Sequence, residues 1–421
     1  MKLNSLIIGF VLIFTRTYGQ DKLMHNFPND FNERAYSHIE TLSSFGLRTA
    51  QSGAEILTTE YLKKFMTQNS IEIQIDSFDY KMFNLDSVSV EINNIQISPK
   101  AFFINPYINQ ELYIDGFTFV LDSTYDWYWK QNLENKIVIC SSKSNPYRLS
   151  FHRRKPMSVI QLKQPDFDLI QGLDEIKVAI KCFGFVNKYK TLNFISTINS
   201  SQTEEIILTA HWDSYNGPGA ADNASGISVL LETLAYLSKI KDSIPFKISV
   251  VFFGAEELGL LGSKSFVVKY AERLLDCKYI INVDNVGGSN EIGMEMRGGV
   301  RNQPPKGNIK IDSTLLFYAQ TDLNGKWRLI YDSPYMSNVP DWLKSQIEET
   351  SEELDIPITP LNQIGSDHQS FYLAGIPATS IVKSRGSKIH CKEDTPEQIN
   401  IDGLEKIGKI ITLMILNTNK N

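Results

Sequence analysis

Three segments indicate the fold most clearly: EIILTAHWDSYNGPGAADNASG at residues 205–226, ISVVFFGAEE at 248–257 and YIINVDN at 279–285. Each segment contains an apolar, β-branched run that stops at an imidazole or a carboxylate. Such runs, separated by helical patterns, are typical of a mostly parallel sheet that is buried on both faces. Ligands of these sheets bind outside the carboxyl ends of the strands, so we expect the polar groups that follow the runs to converge on one spot.

Helical periodicity around this stretch predicts the layers that cover the sheet. Apolar residues recur at three- and four-residue spacing within 32–69, where SSFGLRTAQSG interrupts the pattern, and again in 227–241, 340–354 and 401–416. IPITPLN and ATSIVKS are short predicted strands, with a loop and a helix at GSDHQSFYLAGIP between them. The sequence therefore predicts an α/β fold, a three-layer α/β/α arrangement around a central, mostly parallel mixed sheet.

Residues 85–189 differ in texture from the rest of the chain. Short alternating runs such as SVSVEI, KIVICSS and VAIKCFGFV are separated by Asn, Asp, Pro and Ser, and only 126–132 is predicted to be helical. No metal-ligand spacing or nucleophile motif occurs here, so we expect this β-rich insert to affect shape or substrate access. The predicted organisation is a signal peptide at 1–19, the first part of the main domain at 20–84, the insert at 85–189 and the second part of the main domain at 190–421.

Length, composition and charge exclude some classes of protein. With 421 residues, of which 42% are hydrophobic, the chain can bury a full core. Its 42 basic and 48 acidic residues give a net charge of -6, which offers no footprint for nucleic acid or an anionic membrane. The basic cluster between Arg148 and Lys155 is interpreted as a solvated loop. Export permits disulfides, but no CxxC spacing occurs among Cys140, Cys182, Cys277 and Cys391, so none of the three possible pairings is assigned.

The amino terminus has the pattern of a secretory signal. Lys2 precedes the apolar run Leu6 to Phe14, which is too short to span a bilayer, and small residues follow up to Gly19. We therefore predict a secreted or periplasmic protein without a stable membrane anchor after cleavage, with an uncleaved anchor as the alternative. A lipoprotein is not expected, because no cysteine precedes Cys140.

His211 and Asp213 stand two residues apart at the end of the first predicted strand. A metal-ligating histidine usually donates its second N–H to a carboxylate of this kind, although the pair alone is equally compatible with a structural role. Asp222, in GAADNASG, also has two interpretations. It either binds a metal or caps the helix that follows, because aspartate is a preferred N-cap residue.

The adjacent glutamates Glu256 and Glu257 favour a bound cation. Two like charges near the end of a buried strand are costly unless a cation sits there or one glutamate is protonated. One of them can bind a metal while its neighbour handles a proton. Together with Asp284 and His390, which lies in SKIHCKEDTPEQI, the set offers nitrogen and oxygen ligands suited to zinc or a similar divalent ion. Five ligands, one of them bridging, suit two ions.

His368, in GSDHQSF, is a weaker candidate ligand. It follows a predicted strand, but the next residues are helical, and His390 is better placed. We expect His368 and Asp367 to support the metal site from behind or to face the substrate, with direct coordination by His368 as the alternative.

These motifs resemble the co-catalytic di-zinc exopeptidases, a family that includes bacterial leucyl aminopeptidases, glutamate carboxypeptidases and glutaminyl cyclases. The opening SSFGLRTAQSGAEILTTEYL is similar to that family's first helix, and NKIVIC in the insert is weakly similar to its protease-associated domain. The motifs that carry the resemblance are AHWDS, GAADNASG, FFGAEELGLLGS, NVDNVG, GSDHQSF with LAGIP, and IHCKEDTPEQI.

The resemblance implies the zinc exopeptidase fold and two divalent ions, with zinc as the expected metal. One ion would be held by His211 and Asp284, and the other by Glu257 and His390. Asp222 would bridge the two ions.

The resemblance also implies the remaining roles at the site. Asp213 would orient His211, and Glu256 would act as the general base. Ile389 stands where many members have a tyrosine that stabilises the oxyanion, so that role must fall to a metal or another group. Asn223, after the bridging aspartate, is within the range of the family.

The expected activity is that of a secreted aminopeptidase acting on peptides. A carboxypeptidase of the same family and a single-zinc glutaminyl cyclase are the alternatives. A binding module that has lost catalysis is disfavoured by the complete ligand set. Peptides are the expected partners and nucleic acid is not, while the sequence does not indicate an oligomeric state.

Overall fold

The computed structural model describes residues 23–104, 112–121, 137–142, 158–171, 173, 177–289, 291–296, 318–321, 327–329, 339–362 and 364–418. The predicted signal peptide, the helix predicted at 126–132 and the basic cluster between Arg148 and Lys155 lie outside these residues. Within them, none of the helices combines the length and the apolar character that a membrane span requires.

Two helices and six successive strands come first, and strands and helices largely alternate from residue 205 onwards. The strands are β1 (Glu72–Ile92), β2 (Ile95–Ile97), β3 (Ala101–Ile104), β4 (Leu112–Leu121), β5 (Ile137–Cys140), β6 (Ser158–Gln161), β7 (Lys177–Ile198), β8 (Glu205–His211), β9 (Lys247–Phe253), β10 (Cys277–Val283), β11 (Ile292–Glu295), β12 (Tyr318–Thr321), β13 (Trp327–Leu329), β14 (Ile358–Leu361) and β15 (Ala378–Val382). The helices are α1 (Phe31–Ser44), α2 (Gly53–Gln68), α3 (Gln164–Gln171), α4 (Ser225–Lys239), α5 (Leu261–Lys269), α6 (Asp341–Leu354), α7 (His368–Leu373) and α8 (Leu404–Asn417).

The centre of the sheet is parallel and its flanks are mixed. β8 lies between β9 and β10, both of which run parallel to it, and β15 continues the parallel order beyond β10. Antiparallel pairing begins at β7 on one side and at β11 on the other. The prediction of an α/β fold with a mostly parallel central sheet is confirmed.

Both faces of the central strands are buried, which explains why their sequences are continuous apolar runs. Ile206 and Leu208 of β8 pack with α1, α4 and α8 on one face. Ile207, which points to the opposite face, packs with Phe266 of α5 and Phe371 of α7. The sheet is therefore covered by helices on both sides, as the three-layer prediction requires.

The β-rich segment joins the main sheet through two long strands. β1 and β7 pair antiparallel along nearly their full lengths, with a register shift between Leu85 and Ser87. Leu85, Val90 and Ile180 belong to a hydrophobic cluster separate from the one around β8. The predicted boundaries after residues 84 and 189 fall inside these strands, and α3 is a helix that the sequence did not predict.

Candidate metal centre

Polar side chains from the three central parallel strands meet at the carboxyl edge of the sheet. His211 is the last residue of β8, Glu256 and Glu257 follow β9 closely, and Asp284 follows β10 directly. Ala255 and Asn285, which adjoin these acids, have φ angles of 55° and 52°. The left-handed region turns the chain sharply at the strand end, and non-glycine residues adopt it mainly where the surrounding structure demands it.

Asp222 lies between the two candidate histidines. Its Oδ1 is 3.0 Å from Nε2 of His211, and its Oδ2 is 3.1 Å from Nε2 of His390. Each carboxylate oxygen therefore faces a different imidazole, which is the arrangement that a bridging ligand needs. Asn223 takes the local capping role instead, since its Oδ1 accepts a hydrogen bond from the Gly226 amide at 2.9 Å.

The six side chains form two groups, each able to surround an ion. Within each group one ligand atom per residue lies within 4.8 Å of the others. His211 Nε2 is 3.3 Å from Asp284 Oδ1, and His390 Nε2 is 3.3 Å from Glu257 Oε2. Two ligands of a tetrahedral zinc at about 2.0–2.1 Å are themselves roughly 3.3 Å apart, so this spacing fits. The groups are His211, Glu256 and Asp284, and Asp222, Glu257 and His390.

An unpartnered oxygen in the second group is consistent with a candidate cation site. Oε1 of Glu257 is buried and has no hydrogen-bond partner in the described part of the chain. An unsatisfied buried acceptor costs about 1–3 kcal/mol, and more if it is charged. A divalent ion held by this carboxylate would remove that cost, so the donor set fits a metal.

The group around Glu257 has strongly shifted protonation equilibria. Burial and the neighbouring charge of Asp222 raise the pKa of Glu257 to about 7, although His390 opposes the shift. Burial alone would lower the pKa of His390, but Glu257 and Asp222 raise it to about 11. In the protein without metal, the imidazolium of His390 therefore supplies part of the positive charge that this acidic group needs.

In the group around His211, burial and neighbouring charges also shift the pKa values in opposite directions. Burial and the charges of Asp367, Glu257 and Asp284 raise the pKa of Glu256 well above its ordinary value, while His211 lowers it. Burial alone would lower the pKa of His211, but carboxylates led by Glu256 and Asp284 raise it well above its ordinary value.

Asp213 connects His211 with the two glutamates. Its main-chain oxygen lies 3.1 Å from Nδ1 of His211, whereas its carboxylate is 3.5 Å from the same nitrogen. The carboxylate accepts hydrogen bonds from the main-chain amides of Glu256 at 3.1 Å and Glu257 at 3.2 Å. Asp213 therefore contacts the histidine, as its position in the sequence suggests, but its carboxylate mainly holds the turn that carries the glutamates.

Asp367 and His368 are fully buried. Burial raises the pKa of Asp367 to about 7, and Asp213 and Asp284 add to the shift while His211 opposes it. Nε2 of His368 is 3.0 Å from Oε2 of Glu295. His368 belongs to neither ligand group. Its partner is therefore an acidic residue, Glu295, that the sequence patterns did not indicate.

Sequence reasoning missed two further residues that contact the site through the main chain. Asp394 is buried and accepts the amides of Ala221 and Asp222. Burial raises the pKa of Asp394 to about 6 against these hydrogen bonds. Arg48 is fully buried and donates to main-chain oxygens on either side of Asp213. Both occur in motifs quoted above, IHCKEDTPEQI and SSFGLRTAQSG, but only the fold shows what they contact.

Known proteins with similar sequences and folds include peptidases and a glutaminyl cyclase from Porphyromonas gingivalis. The profile of peptidase family M28 matches residues 193–307 and 313–415. Aminopeptidase YwaD of Bacillus subtilis is 25% identical over 420 residues, covering 91% of this chain and 84% of the relative. The solved aminopeptidase from Aneurinibacillus sp. strain AM-1 has a TM-score of 0.63 at 19% identity, covering 94% of this chain and 95% of that one. The zinc aminopeptidase BSAP of Bacillus subtilis has a TM-score of 0.60 at 20% identity, covering 93% and 95%.

Proposed function

Because the chain belongs to peptidase family M28, we propose that it is a metal-dependent aminopeptidase that releases amino-terminal residues from peptides. The observation that carries the proposal is the position of Asp222, which directs one oxygen at His211 and the other at His390. A carboxylate between two imidazoles at the open end of a parallel sheet supports a pair of ions that share a ligand.

Zinc is the proposed metal. Imidazole and carboxylate ligands at tetrahedral spacing suit zinc, and BSAP, which has a similar fold, is a zinc aminopeptidase. His211 and Asp284 would hold one ion, and Glu257 and His390 the other. Asp222 would bridge them, and the buried, unpartnered Oε1 of Glu257 supports this assignment.

The two ions, when bound, supply a lowered pKa for water and polarisation of the scissile carbonyl. Glu256 would act as the general base, a role that the resemblance to the family implies and that the position of its carboxylate beside His211 and Asp284 supports. It removes a proton from the attacking water and returns it to the leaving amine. Asp213 keeps the base in place through the hydrogen bond from the Glu256 amide.

We further propose that the protein is exported and that residues 85–189 form an insert in the peptidase domain. The amino-terminal apolar run followed by small residues supports cleavage after residue 19. The separate hydrophobic cluster that includes Val90 and Ile180 supports an insert with its own core.

A glutaminyl cyclase and a carboxypeptidase are the alternatives within the same fold. The cyclase needs one zinc, whereas this chain offers two ligand groups that Asp222 joins. The carboxypeptidase needs a cation to receive the terminal carboxylate of the substrate. The sequence patterns indicate no such cation, so aminopeptidase remains the proposal.

Peptides blocked at one end or the other test the proposed activity. The purified protein is incubated with a peptide whose amino terminus is free or acetylated and whose carboxyl terminus is free or amidated. We expect cleavage of every peptide with a free amino terminus, loss of activity with a zinc chelator, and recovery when zinc is restored. Cleavage that depends on the free carboxyl terminus would contradict the proposal, and so would cyclisation of amino-terminal glutamine without peptide hydrolysis.

A further inference from the structure

Three successive main-chain N–H groups converge on Asp394. The Ala220 amide donates to the main-chain oxygen of Asp394 at 3.2 Å, the Ala221 amide to Oδ1 at 2.7 Å, and the Asp222 amide to Oδ2 at 3.2 Å. Successive N–H groups that surround an anion form a concave nest, and hydrogen bonds to an ionised acceptor are stronger than neutral ones. Asp394 therefore holds the turn that carries Asp222 by binding the main-chain amides of that turn.

Arg48 holds the same turn from its carbonyl side. The guanidinium is fully buried and donates to the main-chain oxygens of Gly219 at 3.0 Å and of Pro218. It also donates to Trp212 at 2.8 Å and to Leu42 at 3.3 Å. Within the described residues Arg48 forms no ion pair with a carboxylate, and these four acceptors are all main-chain oxygens. Arg48 thus holds the start and the middle of the loop between β8 and α4.

The charge of Arg48 is balanced at longer range by the acids of the site. Burial lowers the pKa of Arg48 to about 10, and Asp213, Asp394 and Asp222 oppose the shift. A buried cation is costly without hydrogen bonds and nearby negative charge. Here the main-chain oxygens supply the hydrogen bonds, and the carboxylates of the site supply the negative charge. Arg48 therefore remains charged at neutral pH.

The surroundings of Gly219 are tightly packed. Its φ angle is +60°, and a Cβ atom there would lie 2.4 Å from the main-chain oxygen of Asp222 and 3.1 Å from Nη2 of Arg48. The turn, the guanidinium and the Asp222 main chain are in close contact at this point. Displacement of either charged partner therefore moves the backbone that carries Asp222.

We propose that Arg48 and Asp394 are positioning residues that hold the Asp222 carboxylate between His211 and His390. They act on opposite sides of one turn, and Asp394 belongs to the same loop as His390. Asp394 thus also sets the separation between the candidate bridging ligand and the last histidine. The inference rests on the proposed function, because it assigns these residues a role in metal binding.

Replacement of Asp394 by asparagine, with Glu393→Gln as the control, tests the inference. Asp394→Asn keeps the size of the side chain but replaces one acceptor oxygen by a donor that opposes a main-chain amide. Glu393→Gln removes the same charge one position earlier in the chain. The side chain of Glu393 is exposed. Zinc affinity is measured on metal-free, full-length protein by competition with a chelating dye, and thermal unfolding of the metal-free proteins is measured alongside.

We expect Asp394→Asn to bind zinc about 10- to 100-fold more weakly, the usual loss when a residue that supports a ligand is changed. Glu393→Gln should match the wild-type affinity. The absorption spectrum of the cobalt-substituted protein should also change in Asp394→Asn alone. Loss of affinity in a variant that keeps the unfolding temperature of the metal-free wild type separates positioning from general destabilisation.

Arg48→Lys supplies an independent test, because lysine keeps the charge but cannot reach all four carbonyl oxygens at once. We expect weaker zinc binding here too, and a combined variant with a loss smaller than the product of the two single losses, because both residues act on one turn. If both single variants bind zinc as tightly as the wild type, the positioning role is overturned. If the wild type nevertheless binds two ions, the proposed function stands. A wild type that binds no zinc would instead contradict the proposed function, and the positioning role with it.

Discussion

The carboxylate of Asp213 accepts a hydrogen bond from the main-chain amide of Glu257 at 3.2 Å. Its other oxygen accepts the amide of Glu256 at 3.1 Å. One buried acid at the end of β8 therefore fixes the turn that follows β9, and the parallel pairing of these strands brings the two segments together. Asp213, two residues after His211, therefore positions both the candidate base Glu256 and the candidate ligand Glu257.

Asp213→Asn tests this arrangement. The amide group of asparagine can accept only one of the two main-chain N–H groups, so the glutamate turn should loosen. We expect kcat to fall and zinc affinity to decrease about 10- to 100-fold. Steady-state kinetics and chelator competition measure the two effects. Unchanged values of both would show that the hydrogen bonds of Asp213 do not position the glutamates.

Glu256→Gln and Glu257→Gln should have different consequences, although the two residues are adjacent. Loss of a general base lowers kcat by about 10²–10⁴-fold, so Glu256→Gln should be nearly inactive with an unchanged zinc content. Glu257→Gln should lose zinc, because Glu257 contacts His390 within a ligand group. Metal analysis and kinetics of both variants provide the comparison. Zinc loss in Glu256→Gln would make Glu256 a ligand instead of the base.

Gly217→Ala should separate the two loops that meet at the site. A Cβ atom at Gly217 would lie 2.1 Å from the main-chain oxygen of Cys391, so the segment beside His390 must move. We expect destabilisation of about 1–3 kcal/mol, the usual cost of overpacking, together with weaker zinc binding. Gly53→Ala is the control, because no atom lies within 4 Å of its Cβ position. Urea unfolding and zinc titration should leave the control close to wild type.

Glu205 predicts a pH dependence of stability remote from the metal groups. Burial alone would raise its pKa, but hydrogen bonding and charge from Arg273, with help from Ser249 and Lys247, lower it below the ordinary value. A carboxyl group with a lowered pKa stabilises the fold above its unfolded pKa of about 4.3, and this contribution disappears as the pH falls through the folded pKa. Stability should therefore be lost on acidification below about pH 4.3, not at neutral pH.

Glu205→Gln isolates that contribution. At pH 7 the variant should be less stable by about 1.5–3 kcal/mol, the value of a hydrogen bond to a charged group. Between pH 7 and pH 5 the difference from wild type should stay constant, and it should shrink below about pH 4. Urea unfolding of both proteins without metal gives the difference. A gap that is independent of pH down to the acid limit would contradict the role of the Glu205 charge.

The ligand groups could be predicted from sequence because local patterns mark them. His211, Glu257 and Asp284 each follow an apolar run, and strands of one parallel sheet bring their ends together. Asp222 and His390 are also candidates from their local sequence, but the bridging role of Asp222 follows only from the motif resemblance. No local pattern connects Arg48 with Gly219, which are 171 residues apart, and their contact exists only in the folded chain.

The distance between contacting residues in the chain also explains two other differences between the sequence-based predictions and the structure. The sequence pairs Asp213 with His211 because they are close in the chain, while the amide partners of the Asp213 carboxylate come from the turn after β9. The boundaries of the insert also escape local patterns, because β1 and β7 continue without a break from the main sheet into the second hydrophobic cluster. The change in sequence pattern near residues 85 and 189 therefore does not coincide with the end of a strand.

The zinc content of the purified, zinc-saturated protein tests whether Asp222 bridges two ions. Asp222 faces both histidines, so the wild type should contain two zinc ions per chain, and Asp222→Asn should retain less than the wild type under the same conditions. Elemental analysis by mass spectrometry gives both values. One zinc ion per chain in fully active protein would contradict the account, because no bridging role would then remain for Asp222.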